Sequence, residues 1–125
     1  MIKFNESTPI YIQIMEKIKA DIVSRKLKCG DKMPSVREFS ESFKVNPNTV
    51  QRVFIELERE GITYSKRGIG TFIAEGNELL EQLKIAQAQK YAKIFAGKMK
   101  ELGMKKQEII EYLNKELEEG ESENN

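Results

Sequence analysis

The chain has 125 residues, of which 33% are charged and 39% hydrophobic, and its formal net charge is +1. This length fits one small domain with an appended segment. The sequence contains no histidine, so a Ser–His triad, a Cys–His pair and a histidine-based zinc site are excluded. We expect no catalytic residue, no metal and no cofactor, and therefore no enzyme.

The single cysteine, Cys29, rules out an intramolecular disulfide and is typical of a reducing compartment. No signal peptide is predicted at the start of the chain, and no apolar run approaches the roughly 20 residues that span a bilayer. We therefore expect a cytoplasmic protein with no membrane partner, in which Cys29 is an inert loop residue.

Charge is distributed unevenly along the chain. Residues 1–76 hold 13 Lys and Arg against 10 Asp and Glu, whereas residues 77–125 hold 8 against 10. The excess of positive charge has the sign expected if the N-terminal part contacts nucleic acid.

The first helix is predicted from Pro9 to about Lys26, because isoleucines recur every fourth residue on one face. A second helix is predicted from Ser35 to about Phe43, opened by the capping box Ser35-x-x-Glu38. Arg37 lies in its first turn, where a cation opposes the helix dipole. A nearby phosphate or base edge would explain this position; the alternative is a solvated surface arginine.

The central stretch is Asn46 to Glu60, NPNTVQRVFIELERE. Asn46 is a predicted N-cap and Pro47 suits the first helical position. An apolar stripe follows at helical spacing, and the opposite side of the first turns carries amides, a hydroxyl and an arginine. Such a helix fits the major groove, where Asn, Gln and Arg pair with base edges. The alternative is an ordinary amphipathic helix.

Two β-rich runs follow Gly61, with the turn Lys66-Arg67-Gly68-Ile69-Gly70 between them. We expect Ile62, Tyr64 and Phe72 to lie against the helices, with Ile73 as a further candidate. The basic tip, with its glycines, can approach a phosphate or a minor groove, as the wing of a helix-turn-helix domain does.

A hinge at Glu75–Asn77 precedes two more predicted helices, about Glu78 to Leu102 and Lys105 or Lys106 to about Leu117. Two amphipathic helices cannot bury such wide apolar faces alone, so they must pack on the first domain or on a second copy of the chain. We favour the second copy, because the hinge separates these helices from the first core. The predicted dimerisation residues are Leu83, Tyr91, Ile94, Phe95, Met99, Leu102, Ile109 and Leu113. The last residues are acidic and predicted to be disordered.

The first three predicted helices and the predicted hairpin together resemble the winged-helix domain of the GntR family of bacterial transcription regulators. The resemblance covers about Thr8 to Ala74 and begins with Pro9-Ile10-Tyr11-x-Gln13-Ile14. It continues through Pro34-Ser35-x-Arg37-x-Phe39, Val45-Asn46-x-Asn48-Thr49-Val50, Leu57-Glu58-x-Glu60-Gly61 and Arg67-Gly68-x-Gly70-Thr71-Phe72. The short helical C-terminal region is similar to the YtrA subfamily.

The resemblance implies a homodimer on a pseudo-palindromic operator, with the third helix in the major groove and the wing at the minor groove. Many relatives carry arginine at the position of Pro47, and some at that of Gln51, so base reading here should depend more on the neighbouring polar residues. The predicted DNA-contacting set is Ser35, Arg37, Asn46, Asn48, Thr49, Gln51, Arg52, Lys66, Arg67 and Gly68.

The resulting hypothesis is a mostly α (α+β) protein with three segments. Residues 1–76 form a winged helix-turn-helix, residues 77–119 a helical dimerisation region and residues 120–125 a disordered tail. It would bind double-stranded DNA as a homodimeric repressor, and the subfamily resemblance points to a transporter operon. Two alternatives are a winged helix that binds a partner protein and a small-molecule sensor with its pocket in the C-terminal helices.

Overall fold

The computed structural model describes residues 4–124, which contain five helices and one antiparallel hairpin. The element order matches the predicted mostly helical α+β class. The elements are α1 (Ile10–Val23), α2 (Val36–Phe43), α3 (Pro47–Arg59), β1 (Thr63–Lys66), β2 (Gly70–Ile73), α4 (Asn77–Glu101) and α5 (Lys106–Asn124).

The core of the N-terminal part forms where α1 and α2 pack on α3. The isoleucine repeat of α1 is buried together with the apolar stripe of α3, at Ile14, Ile18, Ile22, Val50, Val53 and Leu57. Burial of one such aliphatic side chain stabilises a fold by roughly 1.5–3 kcal/mol. The polar side of α3 is therefore held in a fixed orientation by its apolar side.

A tight turn connects α2 to α3. Lys44 ends α2 in the left-handed conformation, with a φ of 56°. The Val45 N–H donates to the Ser40 carbonyl at 3.1 Å, and the Ser40 hydroxyl donates to the Val45 carbonyl at 2.7 Å. These two bonds fix the angle between the helices of the predicted helix-turn-helix.

The hairpin pairs Thr63 with Ile73 and Tyr64 with Phe72. Ile62, Thr63 and Ile73 are buried, whereas Tyr64 is exposed and its ring stacks on that of Phe72, 5.7 Å away. The expectation that Tyr64 lies against the helices was therefore wrong. Ile62 lies before the first residue of β1, so its burial does not determine which side chains of the strand face the core. Thr63, the first residue of the strand, faces the core, and Tyr64 therefore faces outward.

The chain divides into two compact units after Ile85, later than the predicted boundary at Gly76. The physical reason is that the first turns of α4 belong to the N-terminal core. Leu83 is buried in that core, and Leu79 and Leu80 pack against it. The second unit consists of the rest of α4 and α5.

Two helix ends differ from the predicted ones. Helix α1 stops at Val23, before Lys26, because Arg25 adopts a φ of 65° and the Leu27 N–H turns back to the Asp21 carbonyl at 3.0 Å. Helix α5 continues to Asn124, beyond the predicted end near Leu117. The disorder expected for residues 120–125 stays a prediction, and residue 125 lies outside the described residues.

Candidate nucleic-acid interface

The start of α3 is fixed by its cap. The Asn46 side-chain oxygen accepts a hydrogen bond from the Asn48 N–H at 2.8 Å, and Pro47 occupies the first turn, as predicted. Because the Asn46 oxygen is engaged in the cap, the structure gives this residue a positioning role at the tip of the helix. The amide nitrogen and the second lone pair of the oxygen are still available for a contact with DNA.

The side of α3 opposite the core presents the other predicted reading residues. Asn48, Gln51 and Arg52 are exposed, and Thr49 is half-buried. Ile55, one turn farther along, is 49% exposed on the same side and was not predicted as part of the interface. An apolar side chain there can contact the methyl group of a thymine. The sequence signal that could have identified Ile55 was an apolar residue four positions after Gln51, on an otherwise polar face of the helix.

Arg52 does not project freely into solvent. Its guanidinium carbon lies 3.8 Å from the centroid of the Tyr11 ring, and its Nη2 donates to the Tyr11 hydroxyl at 3.2 Å. Tyr11 belongs to α1, which was expected only to support α3. The structure therefore places an α1 residue in contact with one of the predicted DNA-contacting residues.

The beginning of α2 presents two predicted residues. Ser35 forms the capping box: its Oγ accepts from the Glu38 N–H at 3.1 Å, while the Ser35 N–H donates to the Glu38 carboxylate at 3.2 Å. Hydrogen bonds to the Glu38 carboxyl from the Ser35 backbone N–H and from the Ser35 side chain, with a smaller contribution from Lys32, hold the pKa of Glu38 below its usual range. The Ser35 hydroxyl would therefore have to exchange this partner in order to donate to a phosphate oxygen.

Arg37 is highly exposed, and its Nε lies 3.2 Å from a carboxylate oxygen of Glu41, one turn along α2. An exposed pair of this kind is worth about 0–1 kcal/mol, so a phosphate can displace it at little cost. The ion pair also supplies a local partner for this cation, which the sequence argument did not include.

The turn of the hairpin carries the basic tip. Lys66, Arg67 and Gly68 are exposed, and Gly68 has a φ of 78°, a conformation that side chains disfavour. The Lys66 ammonium lies 5.0 Å from the centroid of the Phe72 ring, so the outer face of the hairpin is aromatic and cationic together.

A groove of about 370 Å³ connects these parts. It brings Ser35 from the start of α2 and Gln51 from α3 beside Gly70 and Thr71 of the hairpin. Lys32, which was not predicted, also lines it: a Cβ at Gly70 would lie 2.7 Å from the Lys32 side chain, so the lysine lies directly across the hairpin backbone. One surface of the first unit thus combines α2, α3 and the wing.

The predicted dimerisation residues fall into two groups. Leu83 is buried in the first unit, where its side chain is already covered, which corrects its assignment to a subunit interface. Phe95, Met99 and Ile109 are half-buried, and the remaining residues of the set, all in the second unit, are exposed: Tyr91, Ile94, Leu102 and Leu113.

Among the residues that the structure describes, no group of three His, Cys, Asp or Glu side chains is arranged to hold a metal ion. In the same part of the chain, no helix has the length and apolar character required to cross a bilayer.

The arrangement of α2, α3 and the hairpin defines a winged helix-turn-helix, a class of DNA-binding domain. The profile of the family "Bacterial regulatory proteins, gntR family" matches residues 10–73. The chain belongs to this family and is a DNA-binding transcriptional regulator.

Two relatives from Bacillus subtilis support this assignment. The chain is 47% identical over 109 residues to the uncharacterized HTH-type transcriptional regulator YhcF. The aligned region covers 87% of this chain and 90% of YhcF. It is 51% identical over 69 residues to the HTH-type transcriptional repressor YtrA, with 55% and 53% of the two chains covered. The chain is thus of the YtrA-like type.

Two solved structures give the same result for the fold. A GntR family transcriptional regulator from Listeria monocytogenes is 39% identical, with a TM-score of 0.81 over 90% of this chain and 98% of that one. The DNA-binding domain of AraR in complex with operator ORX1 is 30% identical, with a TM-score of 0.53 over 59% of this chain and 93% of that one.

Proposed function

We propose that this regulator acts as a homodimeric repressor on a pseudo-palindromic operator, with α3 in the major groove and the hairpin tip at the minor groove. The observation that carries the proposal is the division of α3 into two sides. Val50, Val53 and Leu57 are fully buried, while Asn48 and Gln51 are exposed beside the capped start of the helix.

The chemistry of the exposed side fits base reading. Asn and Gln form paired hydrogen bonds with adenine, and each good pair contributes about 1–3 kcal/mol of discrimination. Apart from Arg52, the cations lie around this side rather than within it: Arg37 at the start of α2, and Lys66 and Arg67 at the hairpin tip. In this arrangement the cations bind phosphates and set the register, and the amides read bases. The solved AraR domain bound to its operator supports the same mode of binding.

The second unit supports dimerisation with another copy of the chain. Its large apolar side chains are substantially exposed, including Tyr91 at 56% and Leu102 at 71%. Its charge is also segregated: residues 86–106 hold six lysines and one glutamate, whereas residues 107–125 hold seven glutamates and one lysine. The basic segment of one copy and the acidic segment of another attract each other, so a second copy satisfies both the apolar and the charged surface.

The proposed DNA binding is tested by titrating duplex DNA from upstream of the protein's own gene at two salt concentrations. Wild type should bind with a steep salt dependence, because each phosphate contact contributes about 0.9 to the slope of log K against log salt. Arg37→Ala should weaken binding on every sequence and reduce that slope by about 1 per subunit.

Asn48→Ala should instead weaken binding by about 1–3 kcal/mol and relax the preference at one base pair. Arg59→Ala is the matched control, since Arg59 pairs with Glu56 at the far end of α3 and its loss removes the same charge as Arg37→Ala. Binding that is insensitive to salt, or equal losses in Arg59→Ala and Arg37→Ala, would contradict the proposed docking.

A further inference from the structure

The contact between Tyr11 and Arg52 joins two helices across 41 residues of sequence. The plane of the guanidinium lies close to the tyrosine ring, with the arginine Cζ 3.8 Å from the ring centroid. The same guanidinium donates from Nη2 to the phenolic oxygen at 3.2 Å. One aromatic side chain therefore restrains both the position and the direction of the arginine.

The location of the pair connects it to the interface. Arg52 lies four residues after Asn48 on α3, so both side chains occupy the same side of the helix. Tyr11 is half-buried at the start of α1, whereas Arg52 is exposed. The tyrosine is thus the more restrained member of the pair, and the arginine is the member that is exposed to solvent and accessible to DNA.

The packing of α1 on α3 does not rest on this contact alone. Ile14 and Ile18 of α1 are buried with Val50 and Val53 of α3 in one apolar cluster. Tyr11 packs against the edge of that cluster, and Arg52 lies on the exposed side of the tyrosine. An exposed stack adds little to a core of this size, and a role in presenting the arginine accounts better for its geometry.

We propose that Tyr11 is a positioning residue that pre-organises Arg52 to contact the operator. The proposal rests on the proposed DNA binding and extends it to a residue of α1. A guanidinium has five N–H donors; the Tyr11 hydroxyl accepts from Nη2, and the tyrosine ring lies against the guanidinium. The other donors are available to a guanine edge or a phosphate. Restraint of a long side chain before binding reduces the entropy lost when the complex forms.

The test is a double-mutant cycle on DNA binding. The probe is a duplex that the wild-type protein selects from a random-sequence pool. The variants are Tyr11→Leu, Tyr11→Phe, Arg52→Ala and the double variant Tyr11→Leu/Arg52→Ala. Each is also used to select its own preferred sequences, and its thermal unfolding is measured without DNA.

We expect Arg52→Ala to weaken binding by about ten-fold or more and to change the preferred base at one position. Tyr11→Leu should weaken binding by about five-fold and relax the preference at that same position, because the arginine is present but no longer held. The double variant should bind no more weakly than Arg52→Ala alone. Tyr11→Phe keeps the ring and should retain most of the affinity and the base preference.

Two controls match these changes. Arg59→Ala removes another arginine from α3 and should leave the selected sequence unchanged. Ile10→Ala alters a neighbouring exposed position at the start of α1 and should change binding by less than about two-fold.

Several outcomes would overturn the inference. Independent, multiplicative losses from Tyr11→Leu and Arg52→Ala would show that the two residues act separately. Tighter binding by Tyr11→Leu would show that the tyrosine withholds the arginine from DNA. Coupling in thermal unfolding alone, with unchanged DNA binding, would reduce the pair to a structural contact between helices. If wild type selects no sequence at all, the proposed function fails; if it selects one that Asn48→Ala alters, only the role of Tyr11 is in question.

Discussion

The two compact units of this chain both contain helices with large apolar side chains, yet they leave opposite kinds of surface to solvent. In the first unit, Ile14, Val53 and Leu57 are all fully buried. In the second unit, Tyr91, Leu102 and Leu117 are 56%, 71% and 57% exposed. Large apolar side chains are present in both units, but only the first unit buries most of them in one core.

This difference shows what an apolar stripe does and does not specify. The stripes of α1 and α3 meet in one core, so the polar side of α3 becomes a surface for another molecule. The stripes of the second unit present apolar surface instead. An exposed apolar surface of several large side chains is typical of an interaction site, whereas the first unit presents polar groups on the side proposed to bind DNA. The two units are thus suited to different partners.

The largest expected effect comes from removing core volume in the first unit. Leu57→Ala should lower the free energy of unfolding by about 2–5 kcal/mol, because the leucine is fully buried and its truncation leaves a cavity. Chemical denaturation at a fixed protein concentration measures this. Leu102→Ala, the same change at a residue 71% exposed, is the control and should cost far less. Equal losses would mean that Leu102 is as well covered in solution as Leu57.

The next largest effect is expected on homodimer formation through the second unit, without loss of stability in the first. Leu113→Asp places a charge on the apolar side of α5 and should weaken a homodimer by about ten- to a hundred-fold, because that charge would be buried against the second copy. Sedimentation or light scattering over a concentration series measures the change. Thermal unfolding of the first unit should be largely unaffected.

Asn114→Asp introduces the same charge at the adjacent exposed position and serves as the control. If the homodimers of both variants dissociate to the same extent, the cause is electrostatic repulsion between the added aspartate and the other acidic residues of α5. If Leu113→Asp stays as associated as wild type, this side of α5 is not the dimer surface, and the proposal for the second unit is lost.

Local signals in the sequence were sufficient to predict the elements of the first unit. The capping box at Ser35, the Asn46 cap followed by Pro47 and the left-handed Gly61 each specify a helix end through backbone chemistry. Helical spacing likewise identified the buried face of α3. Because these signals act over a few residues, a sequence shows them directly.

Contacts between distant residues could not be obtained in the same way. The Tyr11–Arg52 pair spans 41 residues, and no periodicity links them. The burial of Leu83 depends on how far the N-terminal core extends into α4. The outward direction of Tyr64 depends on which residue begins the strand, since a shift of one position reverses every side chain. Each of these features is set by tertiary packing.

The smallest expected effect concerns the start of α2, where the first unit presents Ser35. The folded protein lowers the pKa of Glu38, mainly through hydrogen bonds from the Ser35 backbone N–H and side chain. A carboxylate with a lowered pKa in the folded state stabilises the fold above its unfolded pKa. This stability is lost as the pH falls through the lowered folded value. Wild type should therefore lose a little stability on acidification in that range, and Glu38→Gln should lose less.

The measurement is chemical unfolding of wild type and Glu38→Gln at neutral pH and at a series of pH values below the usual range of a glutamate. Glu41→Gln is the control, because it removes a carboxylate from the same helix but leaves the capping box intact. If the difference between wild type and Glu38→Gln does not change with pH, the ionised carboxylate does not hold the first turn of α2. The capping box would then stabilise that turn through the Ser35 hydroxyl alone, and the presentation of Ser35 toward DNA would not depend on pH.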